Sequence, residues 1–252
     1  MKFMSFNLRY DNPNDGINSF TNRIPRVIDT IKKENPDVIG FQEVTDSMRK
    51  TMRDNLSDYV TIGCGRESNY HGESMLIAYK KDCFELIEVK NVWLSETPTV
   101  PGTKYGFDHS GCPRMYTAIR IKHDSVEKPF WFVNTHLDHE GATARVLEAT
   151  QLCRDLMELD GNFVLTGDFN ATPNAPEIKL ITEALGERGC VDCTADLGVT
   201  FHCFGLWPLE KRIKIDYIFT DAICKNAHRV DDIPVNGQYY SDHNAVCAEI
   251  EL

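Results

Sequence analysis

The 252-residue sequence predicts an α/β fold, because strand-like apolar runs are interleaved with amphipathic helix-like segments. The strand-like runs are short, rich in β-branched and aromatic residues, and more numerous than the helix-like segments. Within the helix-like segments, apolar residues recur every three and four positions. No repeat, low-complexity segment or shift in composition marks a linker, so the simplest prediction is one domain over residues 1–252.

Several amphipathic segments predict helices. The first, "IPRVIDTIKKENP", has apolar residues at i, i+3, i+4 and i+7, and Asn35-Pro36 should end it. The spacing of Met48, Met52 and Leu56 predicts a short second helix. The segments "ATARVLEATQLCRDLMEL" and "APEIKLITEALG" predict two more, and the last has a proline early and a glycine at its end.

The other apolar runs predict strands, several of them with the alternation of a half-buried strand. Residues 95–114 are rich in Pro and Gly and predict a long loop. In chain order, the predicted strands are "FMSFNL", "DVIGFQEV", "YVTIGC", "SMLIAYK", "FELIEVKNVWL", "MYTAIRI", "FWFVNTHL", "NFVLTG", "IKIDYIF" and "AVCAEIEL".

The charge balance bears on the substrate. The formal net charge is 27 − 38 = −11, and the only compact basic run is "EKRIK". Proteins that grip long nucleic acid normally cluster Lys and Arg, so the balance favours a short nucleic acid or a nucleotide-like small molecule. No obligate protein partner is evident.

Apolar runs and cysteines bear on location. No apolar run approaches the roughly 18 residues of a transmembrane helix, so no membrane insertion is predicted. The start "MKFMSFNLRY" lacks a long apolar stretch and a cleavage site. The nine cysteines are odd in number and scattered, which indicates free thiols and a cytoplasmic protein. Cys190 and Cys193 have redox or half-zinc spacing, but buried thiols are the simpler interpretation.

Polar residues stand at or near the ends of several apolar strands. Taken singly, each is more often a cap, a turn former or a satisfied network residue. Together they are what a site on the rim of a sheet would use, and hydrolysis of a phosphate ester suits them, since carboxylate and amide oxygens match Mg²⁺ or Mn²⁺. These residues are Asn7, Gln42, Glu43, Asn134, His136, Asp138, Asp168, Asn170, Asp216, Asp242 and His243.

The motifs "SFNLRYD", "NPDVIGFQEV", "NTHLDH", "TGDFNATP", "IDYIF" and "SDHNAV" occur in this order, nearly end to end. In this combination the chain resembles the endonuclease/exonuclease/phosphatase superfamily of metal-dependent phosphoesterases. "WLSETP" and "TFHCFG" resemble a bacterial branch near nocturnin and the deadenylases. The resemblance implies a four-layer α/β/β/α sandwich, in which two mixed β-sheets pack face to face between helices, as in deoxyribonuclease I.

The resemblance also implies a metal site and a catalytic set. Glu43 would chiefly hold Mg²⁺ or Mn²⁺, Asn7 would assist, often through water, and Asp242 would be a further ligand. His243 would stand beside the scissile phosphate and be oriented by Asp216. In the catalytic set, Asp168 would polarise the attacking water, Asn170 would position that water or the phosphate, and His136 would be a second phosphate-contacting histidine.

Three further residues are candidates for substrate binding. Arg66 and Glu73 stand where the family often carries polar residues that line the site, although surface-loop chemistry explains them equally well. Arg114 follows the long loop and could grip a phosphate with two parallel hydrogen bonds.

The leading functional prediction is a cytoplasmic hydrolase that uses in-line attack of activated water, most simply an exonuclease-like phosphodiesterase. The alternative is a phosphomonoesterase acting on a nucleotide or on an inositol or sugar phosphate. A non-catalytic binding module on the same fold is a minor alternative, because such proteins usually lose a metal ligand or the histidine, and every such position here is filled.

Overall fold

A computed structural model describes residues 1–106 and 108–252. It contains four α-helices and twelve strands in these residues. In chain order they are β1 (Lys2–Asn7), α1 (Phe20–Glu34), β2 (Val38–Val44), α2 (Asp46–Asn55), β3 (Tyr59–Ile62), β4 (Ser74–Lys80), β5 (Phe84–Trp93), β6 (Met115–His123), β7 (Phe130–His136), α3 (Ala142–Met157), β8 (Phe163–Asp168), α4 (Pro176–Gly186), β9 (Val191–Asp192), β10 (Asp216–Thr220), β11 (Ile223–Arg229) and β12 (Val246–Glu251).

The strands form two mixed six-stranded sheets. The first sheet has the order β11-β12-β1-β2-β4-β3, and the second has the order β5-β6-β7-β8-β10-β9. In each sheet one central pair is parallel, β1 with β2 and β7 with β8, and the other pairs are antiparallel. The predicted α/β class is therefore confirmed.

Three apolar clusters fill the spaces between the layers, and the middle one joins the two sheets face to face. In it, Phe3 of the first sheet stacks on Phe132 of the second at 5.9 Å between ring centroids. A second cluster packs α1 and α2 on the outer face of the first sheet, and a third packs α3 and α4 on the second sheet. These layers confirm the four-layer sandwich that the resemblance implies.

The predicted elements occur in the predicted places. Helix α1 ends at Glu34, directly before the predicted Asn35-Pro36 stop, and Asn35 has φ 48°, a left-handed conformation that asparagine can adopt at the end of a helix. Helix α4 begins at Pro176. Within the predicted loop of residues 95–114, residues 95–106 and 108–114 contain no helix or strand, and Phe107 lies outside the described residues. In the part of the chain that the structure describes, no helix is both long and apolar enough to cross a membrane.

Strand β11 is absent from the prediction. Its sequence "ICKNAHR" mixes polar and apolar residues, of which three are exposed and none is buried, and among the described residues the strand lies at the edge of the first sheet, paired only with β12. An edge strand with little apolar burial carries neither a continuous apolar run nor a clear alternation, so the sequence offered no signal for it.

Candidate active site

The site lies where the ends of the central strands of the two sheets come together. In the first sheet, β1 and β2 end together, with Asn7 opposite Gln42. In the second sheet, β7 and β8 end together and β10 begins beside them, so His136, Asp168 and Asp216 are neighbours in register. The Asn7 side chain bridges the sheets, because its Nδ2 donates to Asp168 Oδ2 at 2.9 Å.

An irregularity in β2 turns the Glu43 side chain toward these strand ends. It has φ 61°, and the pairing of β2 with β4 is interrupted between Phe41 and Val44. Its Oε1 accepts from Asn7 Nδ2 at 3.1 Å, and its Oε2 accepts from the Tyr10 N–H at 3.0 Å. Burial by itself would raise the pKa of Glu43, but the Tyr10 N–H and the nearby imidazole hold that pKa below its usual value.

His243 is held from behind by a buried carboxylate. Its Nδ1 lies 2.9 Å from Asp216 Oδ2, and its Nε2 faces Asp168 Oδ2 at 3.8 Å and Asp242 Oδ1 at 4.0 Å. The ring of Phe201 packs against the imidazole at 4.8 Å between centroids. Burial would lower the pKa of His243, but the adjacent Asp216 carboxylate outweighs it and raises that pKa.

Asp168 and Asn170 come to one point by a turn. Strand β8 ends at Asp168, Asn170 has φ 48°, and the Asn170 N–H donates to Asp168 Oδ1 at 2.9 Å. This turn, and not the alternation of an extended strand, brings the two residues together, and between them Phe169 is fully buried against Tyr217 and Phe219. Burial and the neighbouring carboxylate of Asp216 raise the pKa of Asp168.

His136 lies beside this turn as a neutral ring. Its Nε2 faces Asn170 Nδ2 at 2.9 Å, and the same amide nitrogen lies 3.0 Å from the Leu137 carbonyl oxygen. The Asn170 amide therefore donates to Nε2, which leaves the proton of the neutral ring on Nδ1. Burial and the Arg114 charge lower the pKa of His136 well below its usual value.

Glu43, Asp168 and His243 each place one potential ligand atom within 4.8 Å of the other two. Because Asp216 favours the charged form of His243, whose Nε2 is then a donor, the carboxylates are the members of this set that could hold a metal ion. Asp242 adjoins them, and burial raises its pKa. Asn7 turns its amide nitrogen toward the carboxylates, while its Oδ1 accepts from the Arg9 N–H at 2.8 Å. A cluster of buried carboxylate oxygens fits a hard divalent cation such as Mg²⁺ or Mn²⁺, because the cation offsets their repulsion.

The three candidate substrate-binding residues differ in their surroundings. Arg66 forms a two-pronged pair with Glu73, with Nη1–Oε2 at 2.8 Å and Nη2–Oε1 at 3.0 Å. Arg114 is 3% exposed, and its Nη2 faces His139 Nδ1 at 2.8 Å. The Arg114 charge contributes to the lowered pKa of His136, and the Arg66 and Arg114 charges oppose the rise that burial gives to the pKa of Glu73.

Asp138 is a buried residue of this region that the sequence pointed to only as one polar residue after a strand. Its carboxylate accepts from the backbone N–H groups of Ser110, Glu140 and Gly141 and from the Ser110 hydroxyl. Burial would raise the pKa of Asp138, but these donors lower it to about 2. The Asp-x-x-Gly spacing before α3 was the available signal, since Asp favours such turns.

The arrangement combines several chemical abilities. The carboxylates can hold a cation and accept a proton from water, and the Asn170 amide can orient a neighbouring oxygen atom. The imidazole of His243, held charged by Asp216, can donate a hydrogen bond from Nε2 to an oxygen atom that gains negative charge.

A family model described as the Endonuclease/Exonuclease/phosphatase family matches residues 4–243. A curated protein, the uncharacterized protein L388 of Acanthamoeba polyphaga mimivirus, is 31% identical over 159 residues, which cover 59% of this chain and 58% of that protein. The aligned part thus spans little more than half the length of this curated relative.

Two solved bacterial structures are similar over nearly their whole length. An endonuclease/exonuclease/phosphatase from Bacteroides vulgatus is 34% identical, with a TM-score of 0.92, and the match covers 100% of this chain and 98% of that chain. A mannosyl-6-phosphatase from Bacteroides thetaiotaomicron is 27% identical, with a TM-score of 0.88, and the match covers 100% of both chains.

Proposed function

The chain belongs to the endonuclease/exonuclease/phosphatase family, and from this premise we propose that it hydrolyses phosphate esters by in-line attack of water. Members of this family are metal-dependent phosphoesterases, which include nucleases and phosphatases. The observation that carries the proposal is the convergence of Glu43, Asp168 and His243 within 4.8 Å at the junction of the two sheets. We also propose that residues 1–252 act as one catalytic domain, since the site draws residues from both sheets.

Glu43 would be the principal metal ligand, and Asp242 and Asn7 would complete the site directly or through water. Bound there, Mg²⁺ or Mn²⁺ would neutralise charge on the phosphate and on the leaving oxygen. For Asn7 to offer its oxygen, its amide would have to turn over and release the Arg9 N–H. The Asn7 amide as it stands supports a role in holding the two carboxylates.

Asp168 would accept a proton from the attacking water, and burial among carboxylates makes it a better base than an ordinary aspartate. Asn170 would hold that water or a phosphate oxygen. Its position is supported by the hydrogen bond between its own N–H and Asp168, at 2.9 Å. A neutral His136 would orient the Asn170 amide and contact the phosphate with its free edge.

His243 would donate from Nε2 to a phosphoryl oxygen, which gains charge in the transition state. The Asp216 carboxylate, 2.9 Å from Nδ1, fixes the ring and favours its charged form. Loss of one such donor typically costs roughly 10²–10³ in rate.

Two substrate classes remain candidates within this chemistry. The sequence favours a phosphodiesterase that acts on short nucleic acid. A phosphomonoesterase is supported by the full-length similarity to a solved protein described as a mannosyl-6-phosphatase, which is 27% identical to this chain. A cytoplasmic location is a further proposal, and it is supported by nine cysteines that are all free thiols.

The test measures hydrolysis of p-nitrophenyl phosphate, bis(p-nitrophenyl) phosphate and short oligonucleotides, with Mg²⁺ or Mn²⁺ and with EDTA. We expect release of product only with metal. Hydrolysis that survives removal of the metal would contradict the mechanism, and no hydrolysis of any ester in the presence of metal would contradict the function.

A further inference from the structure

A fully buried arginine of α1 connects the chain segments that flank the carboxylates of Glu43 and Asp242. Arg23 lies early in α1 and has no exposed surface. Its guanidinium donates to three backbone carbonyls, from Nε to Asn18 at 2.5 Å, from Nη2 to Arg9 at 3.0 Å, and from Nη1 to Tyr240. One side chain therefore holds together three segments that are distant in sequence.

The contact with Arg9 leads directly to Glu43. The carbonyl that accepts from Arg23 and the N–H of Tyr10 belong to the same peptide group, and that N–H donates to Glu43 Oε2 at 3.0 Å. A peptide group is planar, so fixing its oxygen also fixes the direction of its N–H. Arg9 has φ 54°, a conformation that is uncommon outside glycine and needs support from its surroundings. Arg23 supplies part of that support.

The contact with Tyr240 leads to Asp242. The Tyr240 carbonyl lies two residues before Asp242, and between them the Ser241 hydroxyl donates to the Asn7 carbonyl at 2.7 Å. Burial lowers the pKa of Arg23 to about 10, and the Asp242 carboxylate is the strongest of the charges that oppose this fall. The guanidinium is therefore close enough to Asp242 to sense its charge.

The shape of the guanidinium matters more here than its charge. Its donors lie in one plane and point in fixed directions, so they can serve three carbonyls at once. A lysine ammonium is a point charge on a flexible stem and lacks this planar arrangement of donors. Mg²⁺ demands near-ideal octahedral geometry from its ligands, so small shifts of the carboxylates should weaken its binding.

We propose that Arg23 is a positioning residue of the metal site, which holds the carboxylates of Glu43 and Asp242 in the geometry that binds the divalent cation. It acts through the peptide group between residues 9 and 10 and through the segment that precedes Asp242. The proposal rests on the proposed function, because it takes these carboxylates as metal ligands.

The test measures Mg²⁺ binding by titration calorimetry, without a substrate, in the wild-type protein and in Arg23→Lys. Loss of a residue that orients metal ligands typically costs about 10-fold to 100-fold in metal affinity, and we expect the Kd for Mg²⁺ to rise within this range. Since lysine keeps the positive charge, the rise would report the lost hydrogen bonds. Hydrolysis of bis(p-nitrophenyl) phosphate by this variant should recover when Mg²⁺ is added in excess.

Arg188→Lys is the matched control. Arg188 also donates to three backbone carbonyls, those of Leu156, Leu159 and Gly161, at 2.7–2.9 Å. Gly161 precedes β8 at the end of the strand opposite the catalytic residues. Both variants should lower the Tm of the metal-free protein, but only Arg23→Lys should raise the Kd for Mg²⁺.

Hydrogen exchange in the wild-type protein gives a second measurement, which holds even if Arg23→Lys does not fold. Coupling between two sites is reciprocal, so bound metal should make the opening of the Arg23 hydrogen bonds rarer by the factor by which these bonds strengthen metal binding. We expect saturating Mg²⁺ to slow exchange of the Arg23 Nε–H by about 10-fold or more. Exchange of the Arg188 Nε–H should not change.

The outcomes separate this inference from the proposed function. An unchanged Kd for Mg²⁺ in Arg23→Lys, or Arg23 exchange that Mg²⁺ does not slow, would make Arg23 a structural residue and overturn the inference. Metal-dependent hydrolysis by the wild-type enzyme would then leave the proposed function standing. A wild-type protein that binds no divalent cation and hydrolyses no ester would contradict the proposed function, and this inference with it.

Discussion

Two clusters in this molecule bring a carboxylate and an imidazole together with a third potential metal ligand. One is Glu43, Asp168 and His243 at the junction of the sheets, and the other is Glu34, His228 and Cys247 on the outer face of the first sheet. In both, the ligand atoms lie within 4.8 Å of one another. By residue type and proximity alone, both would qualify as metal sites.

Their surroundings differ in charge. In the outer cluster Glu34 pairs with the Lys2 ammonium and with His228 at 2.9 Å, so its charge is already neutralised by side chains. In the junction cluster the carboxylates of Asp216 and Asp242 add to those of Glu43 and Asp168, and Arg9 is 3.8 Å from Asp242. Proximity of ligands is therefore a weaker sign of a metal site than negative charge that the protein leaves unbalanced.

The largest effect should come from the junction cluster. We expect Asp168→Asn and His243→Ala each to lower kcat by roughly 10²–10⁴, because one removes the proton acceptor and the other a transition-state donor. The measurement is steady-state hydrolysis with Mg²⁺ on folded variants. His228→Ala in the outer cluster is the control and should keep wild-type rates. Near-normal rates in both junction variants would sink the assignment of these residues.

Asp216→Asn should lower kcat less than His243→Ala, by roughly 10²-fold, because the imidazole stays but loses the carboxylate that holds it charged. The same loss should move the alkaline limb of the pH–rate profile to lower pH, since Asp216 raises the pKa of His243. A profile that keeps its alkaline limb at the wild-type pH would show that Asp216 does not tune this histidine.

Mg²⁺ should stabilise the protein through the junction cluster and not through the outer cluster, which can be measured without a substrate. With Mg²⁺ at 100 times its Kd, the wild-type protein should gain about 2.7 kcal/mol of stability, which raises Tm by several degrees. Glu43→Gln should lose most of that rise, and Glu34→Gln should keep it. Calorimetry measures Tm with and without Mg²⁺. A rise in Tm that is lost in Glu34→Gln and kept in Glu43→Gln would place the metal in the outer cluster.

Replacing a carboxylate by an amide should change the free energy of unfolding in opposite directions in the two clusters when no metal is bound. Burial and Asp216 raise the pKa of Asp168, so its ionisation opposes folding, and Asp168→Asn should stabilise by on the order of 1 kcal/mol at neutral pH. Burial by itself would raise the pKa of Glu34, but Lys2 and His228 lower it, so Glu34→Gln should destabilise, by less than about 1 kcal/mol.

The pH dependence of the two effects has a definite sign. The gain in free energy of unfolding from Asp168→Asn should be absent at pH values below the pKa of Asp168 in the unfolded chain. It should grow as the pH rises through the raised pKa of Asp168 in the folded protein. The loss from Glu34→Gln should be present above the unfolded-state pKa and vanish as pH falls through the lowered folded pKa. Urea unfolding between pH 3 and pH 8 measures both, and equal signs at neutral pH would refute the contrast.

Much of the fold could be predicted because burial leaves a mark on the sequence. Strands such as β7 and β8 are buried throughout and read as apolar runs, and α1 shows its core-facing residues at helical spacing. Strand β11 was not predicted because it lies at a sheet edge, where none of its residues is fully buried and no continuous apolar run is needed. The turn at Asn170 escaped because a left-handed residue after a strand leaves no periodic pattern.

The sequence by itself determined the chemistry of the site: which carboxylates, amides and imidazoles stand at strand ends, and that they suit a divalent cation and a phosphate. Only the tertiary structure decided which charged side chains are buried and which of them form ion pairs or hydrogen bonds with one another. Arg66 and Arg114 look alike in sequence, yet Arg66 is paired with the Glu73 carboxylate, whereas Arg114 donates to the His139 ring. The physical reason is that burial and electrostatic partners depend on contacts between distant segments, which local sequence patterns do not encode.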